Sequence, residues 1–177
     1  VVEVGSDVTD YKRGDLVMIP PYAGTWRQQL IVSARHIRLT FPEIGDLQQL
    51  AMLMANPPTA WLLLRSIVDL KPGDWIIQNA ANSAVGVAVI QLSKHLGLRT
   101  VNVVRREELR EDLLGAGADL VVIDDDDYPD SLLDCTNGKE PKLALNSIGG
   151  PSALRLAKTL SPSGVHVTFG AMTGESI

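Results

Sequence analysis

The sequence predicts a doubly wound parallel α/β sheet over most of its length, on three observations. Short apolar runs alternate with helical patterns at a spacing of about 20–25 residues from Asp74 to Phe169, the rhythm of alternating strands and helices. The runs, such as Trp75-Ile76-Ile77 and Thr100-Val101-Asn102-Val103-Val104, are β-branched or bulky and bounded by turn residues, as strands buried on both faces are. The segment linking these two runs is long enough for a helical crossover, which a parallel strand pair requires.

Residues 1 to about 40 read as β-rich. Val1–Val4 and Leu16–Ile19 are short strands joined by a polar loop, and Pro20-Pro21 ends the second. Gly24-Thr25-Trp26 opens a third that runs to about Val32, and His36 and Arg38 fall in a short polar strand. So few strands enclose little core, so this piece is expected to belong to a barrel completed by other segments. Asp46 is a candidate N-cap for a helix over Leu47–Met54, which Asn56-Pro57-Pro58 stops. Thr59 is expected to cap the next helix, whose apolar stripe is Ala60, Leu63, Leu64 and Ile67. Met52, Met54 and Trp61 are expected in the core. Strands then follow near 74–79, 99–104, 119–123, 142–146 and 164–169, with helices near 84–96, 106–115, 128–135 and 151–160. Gly97 closes the first of these helices, and Gly115 and Gly117 the second.

The turn from Asn79 to Gly86 is where chemistry is expected. A strand feeding a helix through small residues aims free backbone N–H groups and the positive helix end at one spot, which suits a pyrophosphate. The dinucleotide fingerprint has three glycines; only Gly86 remains, with Ala80, Ser83 and Ala84 where glycines would stand. An ordinary tight turn is the alternative. The second strand ends in Arg105-Arg106 rather than in the Asp or Glu that binds a ribose 2′-hydroxyl, and two guanidiniums favour a 2′-phosphate and hence NADPH over NADH. Glu107 and Glu108 leave a solvated helix start as the other reading. Asn146-Ser147-Ile148-Gly149-Gly150 and Phe169-Gly170-Ala171-Met172 follow the fourth and fifth strands, where ligands of open α/β sheets lie. Asp124–Asp127 lacks the spaced pattern of a calcium loop and reads as a solvated turn capping the next helix. One cysteine, Cys135, and three scattered histidines, His36, His95 and His166, cannot build a structural or catalytic zinc site.

Composition narrows the class. With 45% hydrophobic and 21% charged residues among 177, the chain is an ordinary globular one. A net charge of −5, with no Lys/Arg run longer than two, argues against nucleic-acid binding. No 18-residue apolar run is present to span a membrane, and a single cysteine excludes an internal disulfide and fits a reducing compartment. The sequence opens at Val1 without an initiator Met and shows no signal or transit peptide, which a trimmed N-terminus would hide.

These residues together resemble the medium-chain dehydrogenase/reductase superfamily, in its zinc-independent, quinone-reductase-like branch. Residues 4–9, 14–17 and 24–26 (Val-Gly-Ser-Asp-Val-Thr, Gly-Asp-Leu-Val and Gly-Thr-Trp) resemble its chaperonin-10-like barrel. The segments 56–60, 78–86, 101–105, 144–150 and 168–172 are more specific and resemble the 2-enoyl thioester (enoyl-[acyl-carrier-protein]) reductases of mitochondria and bacteria. The resemblance implies residues 1–45 as part of the barrel domain, 46–70 as connecting helices, and 71–177 as a Rossmann dinucleotide-binding domain ending after its fifth strand. It implies NADPH-dependent reduction of a trans-2-enoyl thioester, carried on CoA or acyl carrier protein, in fatty acid metabolism. By position, Asn56 and Thr59 would lie near the nicotinamide side, and Asn82, Ser83, Ala84, Val85 and Gly86 at the pyrophosphate. Arg105 and Arg106 would meet the 2′-phosphate, and Asn146 with Phe169, Gly170, Ala171 and Met172 the nicotinamide half. Ala84 stands where the family has glycine. The family's catalytic tyrosine is expected upstream of Val1; Tyr11 and Tyr22 sit in the wrong context to replace it, so this chain is expected to be a fragment. The resemblance also implies homodimers, in the cytoplasm of a bacterium or the mitochondrial matrix of a eukaryote. An NADPH:quinone reductase and a non-catalytic NADPH-binding protein are the alternatives.

Overall fold

The computed structural model describes residues 1–177 other than 22, 38–39, 42–45 and 176–177. The chain divides into two compact units, Val1–Met54 and Ala55–Ile177.

In the first unit, β1 (Leu16–Val17) pairs antiparallel with β2 (Thr40–Phe41), Leu16 opposite Phe41. The strands expected at Val1–Val4 and from Gly24 to Val32 are not formed; both stretches are irregular, and Trp26 and Ile31 are fully exposed. A strand persists only where a neighbour takes up its backbone hydrogen bonds, and the described residues of this unit supply one such pair. The polar strand expected around His36 is a single 3₁₀ turn, Ala34–His36, and Arg38 lies outside the described residues. α1 (Leu47–Met52) starts as expected: the Asp46 carboxylate accepts from the Gln48 and Gln49 N–H groups at 2.9 and 3.2 Å. Met52 is half-buried and Met54 exposed, so Met54 is not core.

The second unit begins with α2 (Asn56–Arg65), and here the prolines act opposite to expectation. Pro57 and Pro58 occupy the first turn instead of ending a helix, because first-turn N–H groups lack intrahelical partners and the fixed proline φ already suits the helix. Thr59 is therefore inside α2, donating its N–H to Ala55 O at 3.0 Å, and is not a cap. Ala60, Leu63 and Leu64 are buried as expected, but Ile67 lies beyond the helix and is exposed. Trp61 is exposed too, covered on one face by the Arg65 guanidinium 5.7 Å from the ring centre.

Five parallel strands follow: β3 (Trp75–Gln78), β4 (Arg99–Val104), β5 (Leu120–Ile123), β6 (Leu143–Asn146) and β7 (Val165–Thr168), in the order β5-β4-β3-β6-β7. The crossovers are α3 (Ala84–His95), α4 (Arg110–Ala116, after a 3₁₀ turn at Glu107–Leu109), α5 (Tyr128–Cys135) and α6 (Gly150–Lys158). Alternation along each strand sends side chains to opposite faces. Ile76, Leu143 and Leu145 meet Ala60, Leu63 and Leu64 of α2 and Val89 of α3, and Val104 and Val121 meet Ile90 of α3 and Leu113 of α4. On the other face Ile77, Val101, Val103 and Ala144 meet Tyr128 and Leu132 of α5 and Leu156 of α6. Burial of Ile76 and Ile77 on opposite faces, each contributing about 1.5–3 kcal/mol, makes β3 the centre of the unit.

The order reverses beside β3. The chain leaves β3 for β4 and β5 on one side, then returns as β6 on the other. Connections diverge from that point, which opens a crevice at the carboxyl ends of β3 and β6. Among the described residues, no helix is long and apolar enough to cross a membrane.

Candidate functional site

After Gln78 the chain turns through Asn79–Ser83 into α3. Ala80 sits at φ +46°, a left-handed conformation that costs an L-residue about 1–2 kcal/mol and that glycine adopts without penalty. The turn is tied on both sides of this residue. Ser83 Oγ accepts from Gly86 N–H at 3.1 Å, and Gln78 Nε2 donates to Gly86 O at 3.0 Å and to Asn102 Oδ1 at 2.8 Å. A Cβ on Gly86 would lie 2.7 Å from the Ala81 carbonyl carbon, so only glycine lets α3 come this close to the turn. Among the described residues, the Ala84 and Val85 N–H groups donate to no protein acceptor, whereas those of Gly86 and Val87 are taken by Ser83. Asn82 and Ala84 are exposed, and the helix mouth therefore presents two unused donors to solvent.

Arg105 and Arg106 leave β4 into solvent, and among the described residues neither forms a salt bridge. Glu107 pairs with Arg110, whose Nη2 lies 2.9 Å from Oε2, and that hydrogen bond holds the Glu107 carboxyl below the usual range. The acid nearest the two arginines is thus engaged elsewhere, and they remain available to an anion.

At the ends of β6 and β7 the backbone folds into a small shelf. Asn146, fully buried, accepts at Oδ1 from Asn79 Nδ2 (2.7 Å), Ile148 N–H (3.1 Å) and Gly149 N–H (3.1 Å), and donates from Nδ2 to Thr168 Oγ1 (3.0 Å). Asn79 also donates to Ser152 Oγ at 3.1 Å and accepts from Ser147 N–H at 2.8 Å. Phe169 N–H donates to Asn146 O, and Met172 N–H to Ser147 O, at 2.9 and 3.1 Å, so residues 169–172 lie across this loop. A Cβ on Gly170 would meet Ser147 O at 3.0 Å. Phe169 packs against the cluster that holds Ala60, Leu63 and Leu64, while Ala171 and Met172 are exposed. Ser147 Oγ is buried and has no hydrogen-bond partner among the described residues. An orphaned hydroxyl beside a glycine-lined shelf leaves a donor and acceptor that a water or a ligand's polar group can complete.

Asn56 and Thr59 are half-buried on the first turns of α2, the helix packed along α3, and among the described residues neither side chain makes a hydrogen bond. The acidic run does cap a helix: Asp125 Oδ1 accepts from Asp127 and Tyr128 N–H at 3.1 and 3.0 Å. It is not all solvated, because Asp124 is buried against Arg155, with Nε 2.8 Å from Oδ1, and Asp126 meets the same guanidinium at 3.0 Å. Among the described residues no group of three His, Cys, Asp or Glu converges as metal ligands do. Sequence reasoning named Asn79 and Ser147 only as members of their segments, and missed Ser152 and the pairing of Asn79 with Asn146. A signal was present: an amide directly after an apolar strand, opposite another amide ending a neighbouring strand.

Comparison with known proteins gives consistent matches. A model of the zinc-binding dehydrogenase family matches residues 84–177. Mitochondrial enoyl-[acyl-carrier-protein] reductase of Homo sapiens is 41% identical over 184 residues, spanning 100% of this chain and 49% of that protein. The mitochondrial 2-enoyl thioester reductase Etr1p/Etr2p heterodimer from Candida tropicalis superposes with a TM-score of 0.86 at 29% identity, over 99% of this chain and 54% of that one. The Etr1p/NADP/crotonyl-CoA complex gives 0.85 at 29% identity, over 99% and 54%. A structure assigned as an NADPH:quinone reductase from Bacillus thuringiensis gives 0.85 at 31%, over 99% and 53%. The chain spans about half the length of the curated relatives it matches.

Proposed function

This chain belongs to the zinc-binding dehydrogenase family, within the medium-chain dehydrogenase/reductase superfamily, and from that membership we propose that the protein reduces trans-2-enoyl thioesters to acyl thioesters with NADPH. The observation that carries the cofactor reading is the set of features at the carboxyl ends of β3 and β6, beside the point where the strand order reverses: two unused helix-mouth donors after β3, and a glycine-lined shelf with an orphaned serine hydroxyl after β6. These residues fit a dinucleotide. Ala84 and Val85 N–H groups would hold the pyrophosphate, with Asn82 and Ser83 shaping the turn and Gly86 keeping α3 close. The methyl group of Ala84, where the family has glycine, points to solvent exposure rather than into a packed contact and leaves those donors open. Arg105 and Arg106 would take the 2′-phosphate. Asn56, Thr59 and the shelf of Asn146 and Phe169–Met172 would border the nicotinamide half. NADPH, when bound, supplies a hydride for the β-carbon of the enoyl group.

No proton donor is assigned within residues 1–177; Tyr11, the described candidate, donates its hydroxyl to Ile37 O at 2.8 Å, and Tyr22 lies outside the described residues. The substrate class, on CoA or acyl carrier protein, rests on the names of the relatives and of the complex with crotonyl-CoA. A homodimer in the mitochondrial matrix, or in the cytoplasm of a bacterium, belongs to the same reading. The second reading, NADPH:quinone reduction, is favoured by the Bacillus thuringiensis neighbour. The test is NADPH oxidation by the full-length protein with crotonyl-CoA, crotonyl-acyl carrier protein or a quinone as acceptor. Turnover with either thioester supports the proposal, turnover with the quinone alone selects the second reading, and NADPH binding without turnover leaves a binding protein.

A further inference from the structure

Two buried amides on separate strands consume almost all of their hydrogen-bonding capacity on each other and on the loop beside them. Asn79 follows β3 and Asn146 ends β6, 67 residues later, yet Asn79 Nδ2 donates to Asn146 Oδ1 at 2.7 Å. From this pair radiate three backbone contacts, Ser147 N–H to Asn79 Oδ1 and Ile148 and Gly149 N–H to Asn146 Oδ1, at 2.8, 3.1 and 3.1 Å. Two side-chain arms complete it: Asn79 Nδ2 to Ser152 Oγ on α6, at 3.1 Å, and Asn146 Nδ2 to Thr168 Oγ1 on β7, at 3.0 Å. One cluster therefore ties β3, β6, β7 and α6 together at the point where the strand order reverses.

We propose that Asn79 and Asn146 are positioning residues of the cofactor site, an amide clamp that fixes the Ser147–Gly150 loop and sets the affinity for the dinucleotide through the order of that loop. This rests on the dinucleotide-binding reading above. Asn146 itself is 0% exposed, its Oδ1 is already triply engaged and its Nδ2 donates to Thr168 Oγ1, so its side chain is committed chiefly to holding the loop. The loop it holds bends through two glycines with positive φ, Gly149 at +92° and Gly150 at +55°, residues with wide backbone freedom that leave the loop dependent on its partners for order. Three consecutive N–H groups bonded to carboxamides replace the regular strand ladder that ends at Asn146, and keep those residues from fraying. A loop ordered before the ligand arrives spares the ligand that ordering cost, which appears as tighter binding rather than faster chemistry.

The test uses full-length protein, with Asn79→Ala and Asn146→Ala compared with Leu132→Ala, a core truncation on α5 that makes none of the amide hydrogen bonds. Hydrogen exchange without cofactor is expected to accelerate at Ser147 in Asn79→Ala, and at Ile148 and Gly149 in Asn146→Ala, by about tenfold or more, as loss of a buried hydrogen-bond partner implies. NADPH dissociation constants should rise by a similar factor, KM for NADPH should rise more than kcat falls, and Leu132→Ala should change neither the exchange nor the affinity. Asn146→Asp keeps the oxygens that accept from Ile148 and Gly149, and should restore slow exchange at both. If the alanine variants do not fold, Ser152→Ala and Thr168→Val each remove one arm and should produce smaller shifts in the same amides. Unchanged exchange at these amides overturns the clamp whether or not NADPH binds, as does an affinity loss no larger than that of Leu132→Ala. Absence of NADPH binding by the wild type would instead overturn the function proposed above, and the exchange comparison would still decide the pinning of the loop.

Discussion

At the scale of single residues, Ala80 carries a backbone conformation that its side chain disfavours. The turn holds it there through the Ser83 cap, the contact of Ala81 with Gly86 and the reach of Gln78 across to Asn102. Relieving it gives a simple prediction: Ala80→Gly should stabilise the protein by up to about 1 kcal/mol, the left-handed penalty less the entropy of a more flexible unfolded chain, read as a higher melting temperature. Arg105 and Arg106 give a second. Charge-assisted hydrogen bonds contribute about 1.5–3 kcal/mol each, reduced here by exposure and salt. Replacing both by Ala should weaken NADPH binding by at least an order of magnitude and leave NADH nearly unchanged, with the NADPH loss shrinking as ionic strength rises. Equal losses for the two cofactors would mean the arginines do not read the phosphate. Both arginines were legible in the sequence because adjacency and strand-end position suffice to place them. The Asn79–Asn146 pair was not, because its partners are set by sheet pairing, and neither the loop Ser147–Gly149 nor Ser152 is near Asn79 in the chain.

At the scale of elements, the helix ends separate what local chemistry decides from what it leaves open. Asp46 caps α1 as the sequence reading expects, and Ser83 caps α3 by the same local chemistry although it was read only as part of the turn, since a cap needs only the next three residues. Proline is ambiguous by the same standard, because it terminates one helix and starts another equally well. The sequence reading of residues 56–58 took the first role, and the structure shows the second. The third prediction concerns α5. Asp125 Oδ1 serves two N–H groups at its start, so Asp125→Ala should cost about 0.5–2 kcal/mol, measured by denaturant unfolding, with NADPH affinity unchanged. A neutral result would show that water replaces the carboxylate at this exposed position.

At the scale of the whole molecule, the five-stranded sheet was legible because its strands are short, largely apolar or β-branched runs, most of them buried by helices, with the edge strand β7 partly exposed. The first unit was not, because short strands depend on neighbours more than on their own residues, and Val1–Val4 and residues 24–32 find none among those described. The family carries zinc in its name, yet a single Cys and three His in this sequence fall short of the ligand sets that zinc takes. On the zinc-independent reading, metal analysis of the full-length protein is expected to find no stoichiometric zinc, with activity indifferent to chelators; one tightly held zinc per chain would contradict that branch.

The pH dependence of the sheet edge provides the last prediction. His166 lies on β7, with Nε2 buried and without a partner among the described residues. Burial pushes its pKa below the ordinary 6.5, opposed by a backbone hydrogen bond with Ala153. In the unfolded chain the imidazole takes up its proton near pH 6.5, and in the fold only at lower pH. Between those values the unfolded state binds more protons, so stability rises with pH across that window. The contribution is complete above about pH 6.5 and is lost as pH falls toward the lowered folded value. Asp74 also titrates low in the fold, its burial outweighed by hydrogen bonds from Lys142 and the Lys71 N–H, but that loss begins only below the usual carboxylate pKa of 3.8 and so falls outside this range. Melting temperatures of wild type and His166→Gln between pH 8 and pH 5 should therefore diverge, the wild type losing more on acidification. Parallel curves for the two proteins would assign the acid sensitivity of the fold to other groups.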